Sequence, residues 1–430
     1  MEICKKTNEA RPFSHFLASP IRKPITINIQ SPYIRMLSTD FAPNENRQSA
    51  FAALHILFAP WQYHRGKHLT RLRTRMKKYL PKSDFYFFIS GRVALYKALE
   101  VLELQKNDEV IVTAFTCEAV VIPAQAHGLK LRFADIDPYT YTMSPETIEP
   151  LINKRTKVLV LQHTYGICPA RTQIIALCRK HNITVIEDLA HGWQIKELQR
   201  SSYRTIKMFS FGRSKALSSI YGGALAVTGP TLGEKLKRCE KTMRMPSAFF
   251  IMRALLYVPL ATLSKHLYGV GIGRITLGKL IHRLIKLTRL IPNELSAKEK
   301  QLKWDMQGNL GYPNALAHLL LKALPIFDRN RAKRLSACAI YDHKSLPDRP
   351  YKAALSRYPI RVRNPDKVAS SLAKKNIYVG RWYRRIQGSR HKDTPVAAQT
   401  SSQIINLPTL VTKSQAKEIL RQIDQICQKE

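Results

Sequence analysis

The feature that most constrains the fold is a regular alternation of short apolar runs and helix-like segments between about residues 84 and 227. Seven runs rich in β-branched and aromatic residues are typical of strands, at residues 85–89, 109–113, 129–134, 158–162, 184–187, 205–210 and 223–227. Helix-like segments lie between several of them, at residues 92–104, 118–127 and 170–181. This succession predicts a largely parallel sheet with both faces covered, and therefore a large three-layer α/β/α domain.

The length of 430 residues predicts two structural domains, because single cores seldom grow beyond roughly 250 to 300 residues. Residues 1–50 have no clear period and are predicted to be an N-terminal arm that is in part disordered. We assign residues 51–325 to the large domain, with an apolar and basic insertion at about 240–305. Residues 326–430 would form a small C-terminal α+β domain. The long helical stretch at 315–343 is expected to break near Pro325.

Chemically useful side chains follow several of the predicted strands. They lie at residues 90–92, at Phe115, and at residues 163–166, 188–191 and 210–215. Ligands of such sheets gather at the carboxyl ends of the strands, where loops enter helices. The sequence therefore predicts that these residues converge in one cleft.

Lys215 lies in a serine-rich loop that contains Ser210 and Ser214. A lysine in such a loop is by itself usually only solvated. Asp188, however, ends an apolar strand, where a carboxylate is costly to bury unless a cation is supplied. A lysine amine can form a Schiff base with an aldehyde, and an aspartate can keep a pyridine nitrogen protonated. The pair predicts a site for pyridoxal phosphate (PLP), with Lys215 as the catalytic residue and Asp188 as the pyridinium partner.

Other residues fit the same site less specifically. Ser90-Gly91-Arg92 precedes a helix whose free N–H groups could hold a phosphate, although such a sequence is also ordinary cap chemistry. Ser210 could add a hydroxyl to that phosphate. His191 could contact the cofactor ring or be a capping or core histidine, and Phe115 could stack on the ring or belong to the core.

These residues also carry a family resemblance. The runs at 90–95, 107–111, 135–137, 162–166, 187–191, 209–215, 222–223 and 310–312 resemble the DegT/DnrJ/EryC1/StrS family of PLP-dependent sugar aminotransferases. The resemblance covers about residues 84–430 and weakens after 235. It implies the type I PLP-dependent transferase fold of aspartate aminotransferase. It also implies a homodimer with active sites at the subunit interface.

The activity that the resemblance implies is transfer of an amino group from L-glutamate to a keto sugar carried on a nucleotide. Such enzymes serve polysaccharide, lipopolysaccharide or secondary-metabolite sugar biosynthesis. The resemblance gives Lys215 the Schiff base and proton transfer, and it gives Asp188 the ring nitrogen. The other cofactor-binding positions that it implies are Gly91, Arg92, Phe115, His191, Ser210 and, reaching in from the second subunit, Asn314. The chain departs from the family pattern at Arg92, which replaces a threonine, and at Tyr221, which replaces a glutamate.

The net charge of +40, from 70 Lys and Arg against 30 Asp and Glu, argues for an anionic partner. The densest basic stretch, residues 65–82, has no interleaved aromatic platform and no nucleic-acid-binding motif, so nucleic acid is not the favoured partner. An apolar segment at 248–263 is interrupted by Arg253 and Pro259 and is shorter than the ~20 apolar residues of a spanning helix. A basic amphipathic helix follows it, so residues 248–290 could touch an anionic bilayer or pack on the protein itself or on a second subunit.

Seven cysteines without a CxxC pair favour a reducing compartment and argue against a disulfide framework or a metal site. The N-terminus has no continuous apolar stretch, which predicts a cytoplasmic protein. If residues 248–290 touch a bilayer, the protein would be peripheral to the inner face of the membrane.

Two alternatives for the function stay open at this point. One is a non-catalytic family member that binds anionic membrane or nucleic acid through its basic surface. The other is a PLP enzyme that acts on an amino acid.

Overall fold

The computed structural model describes residues 36–168, 170–192, 198, 205–272, 275–288, 290, 295–345, 353–384 and 392–428. Its strands are β1 (Leu37–Ser38), β2 (Asp84–Phe88), β3 (Glu109–Thr113), β4 (Lys130–Ala134), β5 (Thr156–Gln162), β6 (Thr184–Asp188), β7 (Thr205–Ser210), β8 (Gly223–Val227), β9 (Gly271–Ile272), β10 (Ile275–Thr276), β11 (Arg357–Arg361), β12 (Ile377–Tyr378) and β13 (Ile404–Pro408). Most of the predicted arm, residues 1–35, lies outside the described residues.

The helices carry the following bounds. They are α1 (Arg47–Leu57), α2 (His68–Lys77), α3 (Gly91–Val101), α4 (Glu118–Ala126), α5 (Pro145–Ile148), α6 (Arg171–Lys180), α7 (Pro230–Thr242), α8 (Ala248–His266), α9 (Leu277–Leu287), α10 (Asn314–Ser345), α11 (Pro365–Ala373), α12 (Pro395–Gln403) and α13 (Lys413–Cys427). Short 3₁₀ turns lie at Pro60–Gln62, Glu149–Leu151, Thr164–Gly166, Glu299–Gln301 and Met306–Gly308.

A seven-stranded sheet forms the centre of the molecule, in the order β2-β8-β7-β6-β5-β3-β4. The pairs from β7 through β6, β5 and β3 to β4 are parallel, and β8 is antiparallel to both β7 and β2. Strands β3 and β8 are buried at every position, as expected for strands covered on both faces. The predicted mostly parallel α/β sheet is confirmed.

A second hydrophobic cluster lies where the C-terminal part of the chain meets this sheet. It joins Phe115, Tyr141 and Tyr165 to buried residues of β11, β13 and the helices after residue 365. Strand β11 pairs antiparallel with β13, and β1 pairs in parallel with β12. The C-terminal residues thus cover the carboxyl ends of the sheet strands, which is the edge where the candidate residues were expected.

Helix α10 corrects the prediction of a break near Pro325. It runs without interruption from Asn314 to Ser345 with the proline inside. Leu320 and Leu324 are fully buried just before the proline, so packing holds the helix across the missing hydrogen bond. The predicted domain boundary at 325 to 326 falls within this helix.

The apolar and basic insertion forms two packed helices, α8 and α9. One side of α8 is buried on the protein's own core, through residues that include Ile251, Leu255 and Val258. Among the described residues, one helix, α8, is long and apolar enough to cross a membrane. However, 44% of its apolar stretch is buried inside the protein.

Candidate active site

A cavity of about 340 Å³ opens at the carboxyl ends of the central strands. Six of the predicted site residues line it, namely Gly91, Arg92, Asp188, His191, Ser210 and Lys215. Its other walls include residues that the sequence did not single out, among them Cys117, Leu295, Trp382 and Tyr383. The predicted convergence of the strand ends therefore places these six residues around one space.

The wall formed by the start of α3 depends on glycine. Ser90 caps the helix by accepting a hydrogen bond from Val93 N at 3.2 Å, and Ser90, Gly91 and Arg92 at this helix N-terminus line the cavity. A Cβ on Gly91 would lie 2.8 Å from Ser210 Cβ, and one on Gly223 would lie 2.3 Å from the Ser90 carbonyl oxygen. Because both positions lack a side chain, Ser210 and the helix N-terminus meet closely enough to surround one small anion.

The loop that carries Lys215 is held from two sides. Asn44 Nδ2 donates to the Lys215 carbonyl oxygen at 2.5 Å, and Arg357 donates to the Ser214 carbonyl oxygen at 3.2 Å. Lys215 Nζ lies 4.7 Å from the centre of the Trp382 ring. These contacts fix the lysine backbone and direct its amine into the cavity, next to an aromatic wall.

Asp188 presents a buried carboxylate to the same cavity. Burial raises the pKa of Asp188 above its ordinary value, and the Ala190 N–H, which donates to Oδ1 at 2.9 Å, and the charge of Lys215 offset only part of this effect. A cation placed against this carboxylate would relieve the cost of its burial. Asp188 is therefore suited to holding a protonated ring nitrogen.

The neighbouring acid, Glu187, faces the opposite layer, as alternation along β6 requires. Its carboxylate receives two hydrogen bonds from Arg171, at 2.6 and 2.9 Å, and lies 3.2 Å from His163 Nε2. Burial alone would raise the pKa of Glu187, but the hydrogen bonds from His163 and Arg171 outweigh it and lower the pKa to about 2. Glu187 thus belongs to a buried structural ion cluster and not to the cavity.

We expect Glu187→Gln to lower the free energy of unfolding by about 3 kcal/mol near neutral pH, because it leaves the buried Arg171 guanidinium without its carboxylate. The folded-state pKa of Glu187 lies below its ordinary value of 4.5, so its contribution is present above that value and is lost as pH falls toward about 2. Urea unfolding of both proteins across this range should show the difference shrinking. Glu103→Gln, at an exposed ion pair with Lys235, should change stability far less. A constant difference down to pH 2 would contradict the assignment.

His191 is buried and neutral. Burial lowers its pKa well below 6.5, and the charges of Lys215 and Arg357 lower it further. Tyr165 N donates to Nδ1 at 3.1 Å, so the imidazole proton lies on Nε2, which donates to the Tyr383 hydroxyl at 2.7 Å. His191 lines the cavity, as predicted, with both ring nitrogens engaged by the protein.

Trp382 and Tyr383 are the functional candidates that sequence reasoning missed. Trp382 lies close to two cations, Lys215 and Arg357, and the guanidinium carbon of Arg357 is 3.4 Å from the centre of its ring. The His191 and Trp382 ring centres are 5.0 Å apart. One feature of the sequence could have indicated them: the two aromatic residues directly follow Gly380-Arg381, after the predicted strand at 377–379.

Arg92 lines the cavity but is engaged by the insertion. Its Nε lies 2.7 Å from Glu299 Oε1, and both side chains are mostly buried. Glu299 also accepts a hydrogen bond from Ser296 N at 2.7 Å, beside the cavity residue Leu295. The C-terminal end of the insertion, residues 295–299, therefore forms part of the site wall. The sequence did not predict this role.

The structure does not place Phe115 against the cavity. Its side chain is fully buried and packs edge-on against Tyr383, with ring centres 5.3 Å apart. Of the two roles left open for Phe115, stacking on a cofactor ring or packing in the core, this geometry favours the core role. The physical reason is that the C-terminal aromatic residues cover this strand end and separate Phe115 from the open space.

Asn314 also departs from its predicted role. It is buried at the start of α10, where its Oδ1 accepts from His68 N at 2.9 Å and its Nδ2 donates to the Gln62 carbonyl oxygen at 2.8 Å. These bonds tie Asn314 to the turn before α2. The side chain is thus committed within its own subunit, and the expectation that it reaches a neighbouring active site is not supported.

Comparison with known proteins fits this geometry. Residues 44–247 match the model of the DegT/DnrJ/EryC1/StrS aminotransferase family. The matched region is slightly less than half of the chain, and over it the sequence is similar to that family. The matched region contains Lys215, Asp188 and the two glycine contacts described above.

Two curated relatives of the family show the extent of the similarity. GDP-perosamine synthase of Vibrio cholerae is 29% identical over 182 residues, which are 42% of this chain and 50% of the relative. A UDP-N-acetyl-3-dehydro-alpha-D-glucosamine 3-aminotransferase of Acidithiobacillus ferrooxidans is 39% identical over 141 residues, which are 32% of this chain and 38% of the relative. The chain therefore matches between 38 and 50% of the length of these two relatives.

A solved structure extends the likeness over nearly the whole chain. NtdA of Bacillus subtilis, solved with bound cofactor PMP, aligns with a TM-score of 0.67 and 18% identity over 95% of this chain and 90% of its own. At this identity the likeness shows the fold. The predicted type I aminotransferase fold is confirmed.

Proposed function

We propose that this protein is a PLP-dependent aminotransferase that moves the amino group of L-glutamate to a keto sugar carried on a nucleotide. The observation that carries the proposal is the shared cavity of Lys215 and Asp188, bounded by the glycine-dependent wall at the start of α3. A volume of about 340 Å³ is within the range of small-molecule cofactor sites.

The residues present fit the cofactor in both charge and shape. When bound, PLP supplies an aldehyde that links to an amine and a protonated ring that accepts electrons from the reacting carbon. The helix N-terminus at Gly91 and the Ser210 hydroxyl would hold its phosphate. The Asp188 carboxylate would accept a hydrogen bond from the ring N–H and keep the proton there.

Lys215 would carry the chemistry. Its Nζ would hold the cofactor covalently between turnovers and move a proton to and from the substrate carbon during the reaction. His191 Nε2 and the Tyr383 hydroxyl would form a rigid polar wall beside it, while Trp382 would exclude water from one side of the amine. Arg92, held by Glu299, would add positive charge near the phosphate end.

The relatives support the substrate class. The Acidithiobacillus relative is named for a dehydro sugar on UDP and the Vibrio relative for a GDP-linked amino sugar. We place the reaction in the cytoplasm, as all six cysteines that the structure describes are free. A homodimer is the assembly that the family resemblance favours. In this assembly the partner would close the cavity by residues other than Asn314, whose amide is used locally.

The direct test supplies the purified chain with PLP, ¹⁵N-labelled L-glutamate and keto sugars linked to UDP, GDP or dTDP. We expect the label to appear in the sugar nucleotide by mass spectrometry, together with an equal amount of 2-oxoglutarate. Unlabelled glutamate and reactions without sugar serve as controls. Cofactor binding without transfer to any of these sugars would overturn the proposed substrate class and would redirect attention to amino acid substrates.

A further inference from the structure

The outer face of α9 carries a row of apolar side chains that the described residues do not cover. Leu277, Leu280, Leu284 and Leu287 are 47, 51, 59 and 70% exposed. Their spacing of three or four residues places them on one side of the helix. Ile275, two residues before the helix, is 68% exposed. We call these five residues the apolar stripe.

The opposite face of α9 is fixed to the protein. A Cβ on Gly278 would lie 2.3 Å from the Ser264 carbonyl oxygen, and Ser264 Oγ donates to the Gly278 carbonyl oxygen at 2.8 Å. Ile285 is buried, and the His282 ring stacks on Phe41 with ring centres 3.9 Å apart. Because this face is tightly packed, the helix cannot rotate to hide the apolar stripe.

Positive charge accompanies the apolar stripe. Arg283 and Lys286 are exposed on the same helix. On the helical wheel Arg283 lies beside the stripe, and Lys286 lies between Arg283 and the packed face. Residues 241–293 contain nine Lys and Arg and no Asp or Glu. The surface therefore combines uncovered leucines with a positive charge that no acidic residue of the segment neutralises.

We propose that this surface docks on an anionic lipid bilayer, with the apolar stripe in the headgroup boundary and the basic side chains on lipid phosphates. A bilayer accepts both parts of the surface at once. A second copy of the chain fits it less well, because a two-fold contact would bring Arg283 and Lys286 near their own copies with no acid from this segment to pair with them. The docked protein would be peripheral, since α8 stays packed in the core.

The test is flotation of the full chain with vesicles of phosphatidylcholine alone or of equal parts phosphatidylcholine and phosphatidylglycerol. We expect binding to the mixed vesicles at physiological salt and little to the neutral ones. A triple variant, Leu280→Ser with Leu284→Ser and Leu287→Ser, should bind at least about tenfold more weakly. The pair Arg283→Glu and Lys286→Glu should show a similar loss.

A matched control reverses the charge of two exposed cations at a surface away from α9. Lys154→Glu with Arg155→Glu alters two exposed cations in the turn before β5 and should leave binding close to that of the unchanged protein. Equal loss in this control and in the α9 charge pair would overturn the proposal, because it would show attraction by net charge alone. So would unaltered binding of the leucine variant. Sedimentation that shows self-association abolished by the leucine variant, without vesicle binding, would assign the stripe to a second copy instead.

Discussion

Lys215→Ala should abolish covalent cofactor attachment and lower the rate of amino transfer by at least about a thousandfold. The substitution removes the amine that both links to the cofactor aldehyde and moves the proton at the substrate carbon. Borohydride reduction followed by peptide mapping gives a readout independent of turnover. We expect the unchanged protein to carry the reduced cofactor on the peptide that contains Lys215.

Lys215→Arg is the matched control for charge. It keeps a cation beside Asp188 and over the Trp382 ring but supplies no amine that can form the link. We expect it to be as inactive as the alanine variant, with an unfolding curve close to that of the unchanged protein. Reduced cofactor mapped to another lysine in the unchanged protein would overturn the assignment of Lys215.

Asp188→Asn should lower kcat by about a hundred- to a thousandfold while the protein stays folded. The amide has the shape of the carboxylate but lacks the charge that keeps the ring nitrogen protonated, a stabilisation needed only as charge develops in the reaction. Burial already raises the pKa of Asp188, so removing its charge relieves a cost in the protein without cofactor. Steady-state kinetics and urea unfolding measure the two effects separately.

The adjacent acid is the natural control for Asp188. Glu187→Gln changes the next residue of β6, on the opposite face of the strand, where the side chain binds Arg171. We expect this variant to lose stability and to keep most of its kcat, whereas Asp188→Asn keeps its stability and loses kcat. If both variants lost activity in proportion to stability, Asp188 would have only a structural role.

The sequence was sufficient to predict the sheet because its strands are buried on both faces. Such strands are short apolar runs, which can be recognised without knowing which strands they pair with. Strands β3, β7 and β8 have the predicted bounds. It was also sufficient to bring Asp188, Ser210 and Lys215 together. Successive parallel strands place their carboxyl ends on one edge, so order along the chain already determines proximity.

Tertiary structure decided the parts that depend on contacts between distant segments. Phe115 and His191 both follow strands, yet only the packing of the C-terminal aromatic residues buries the first and leaves the second at the cavity. Asn314 and Glu299 likewise take their roles from the turn at 62–68 and from Arg92, to which no local pattern links them.

For Lys215, too, one part of its environment follows from the sequence and another part follows only from tertiary contacts. By itself the sequence determined that a lysine follows a strand at the ligand-binding edge, near a buried acid. Only the tertiary structure decided that Asn44 and Arg357 hold its loop and that Trp382 lies beside its amine. The reason is physical: periodicity and strand order are local properties of a chain, whereas a side chain's environment is the sum of contacts from segments hundreds of residues apart.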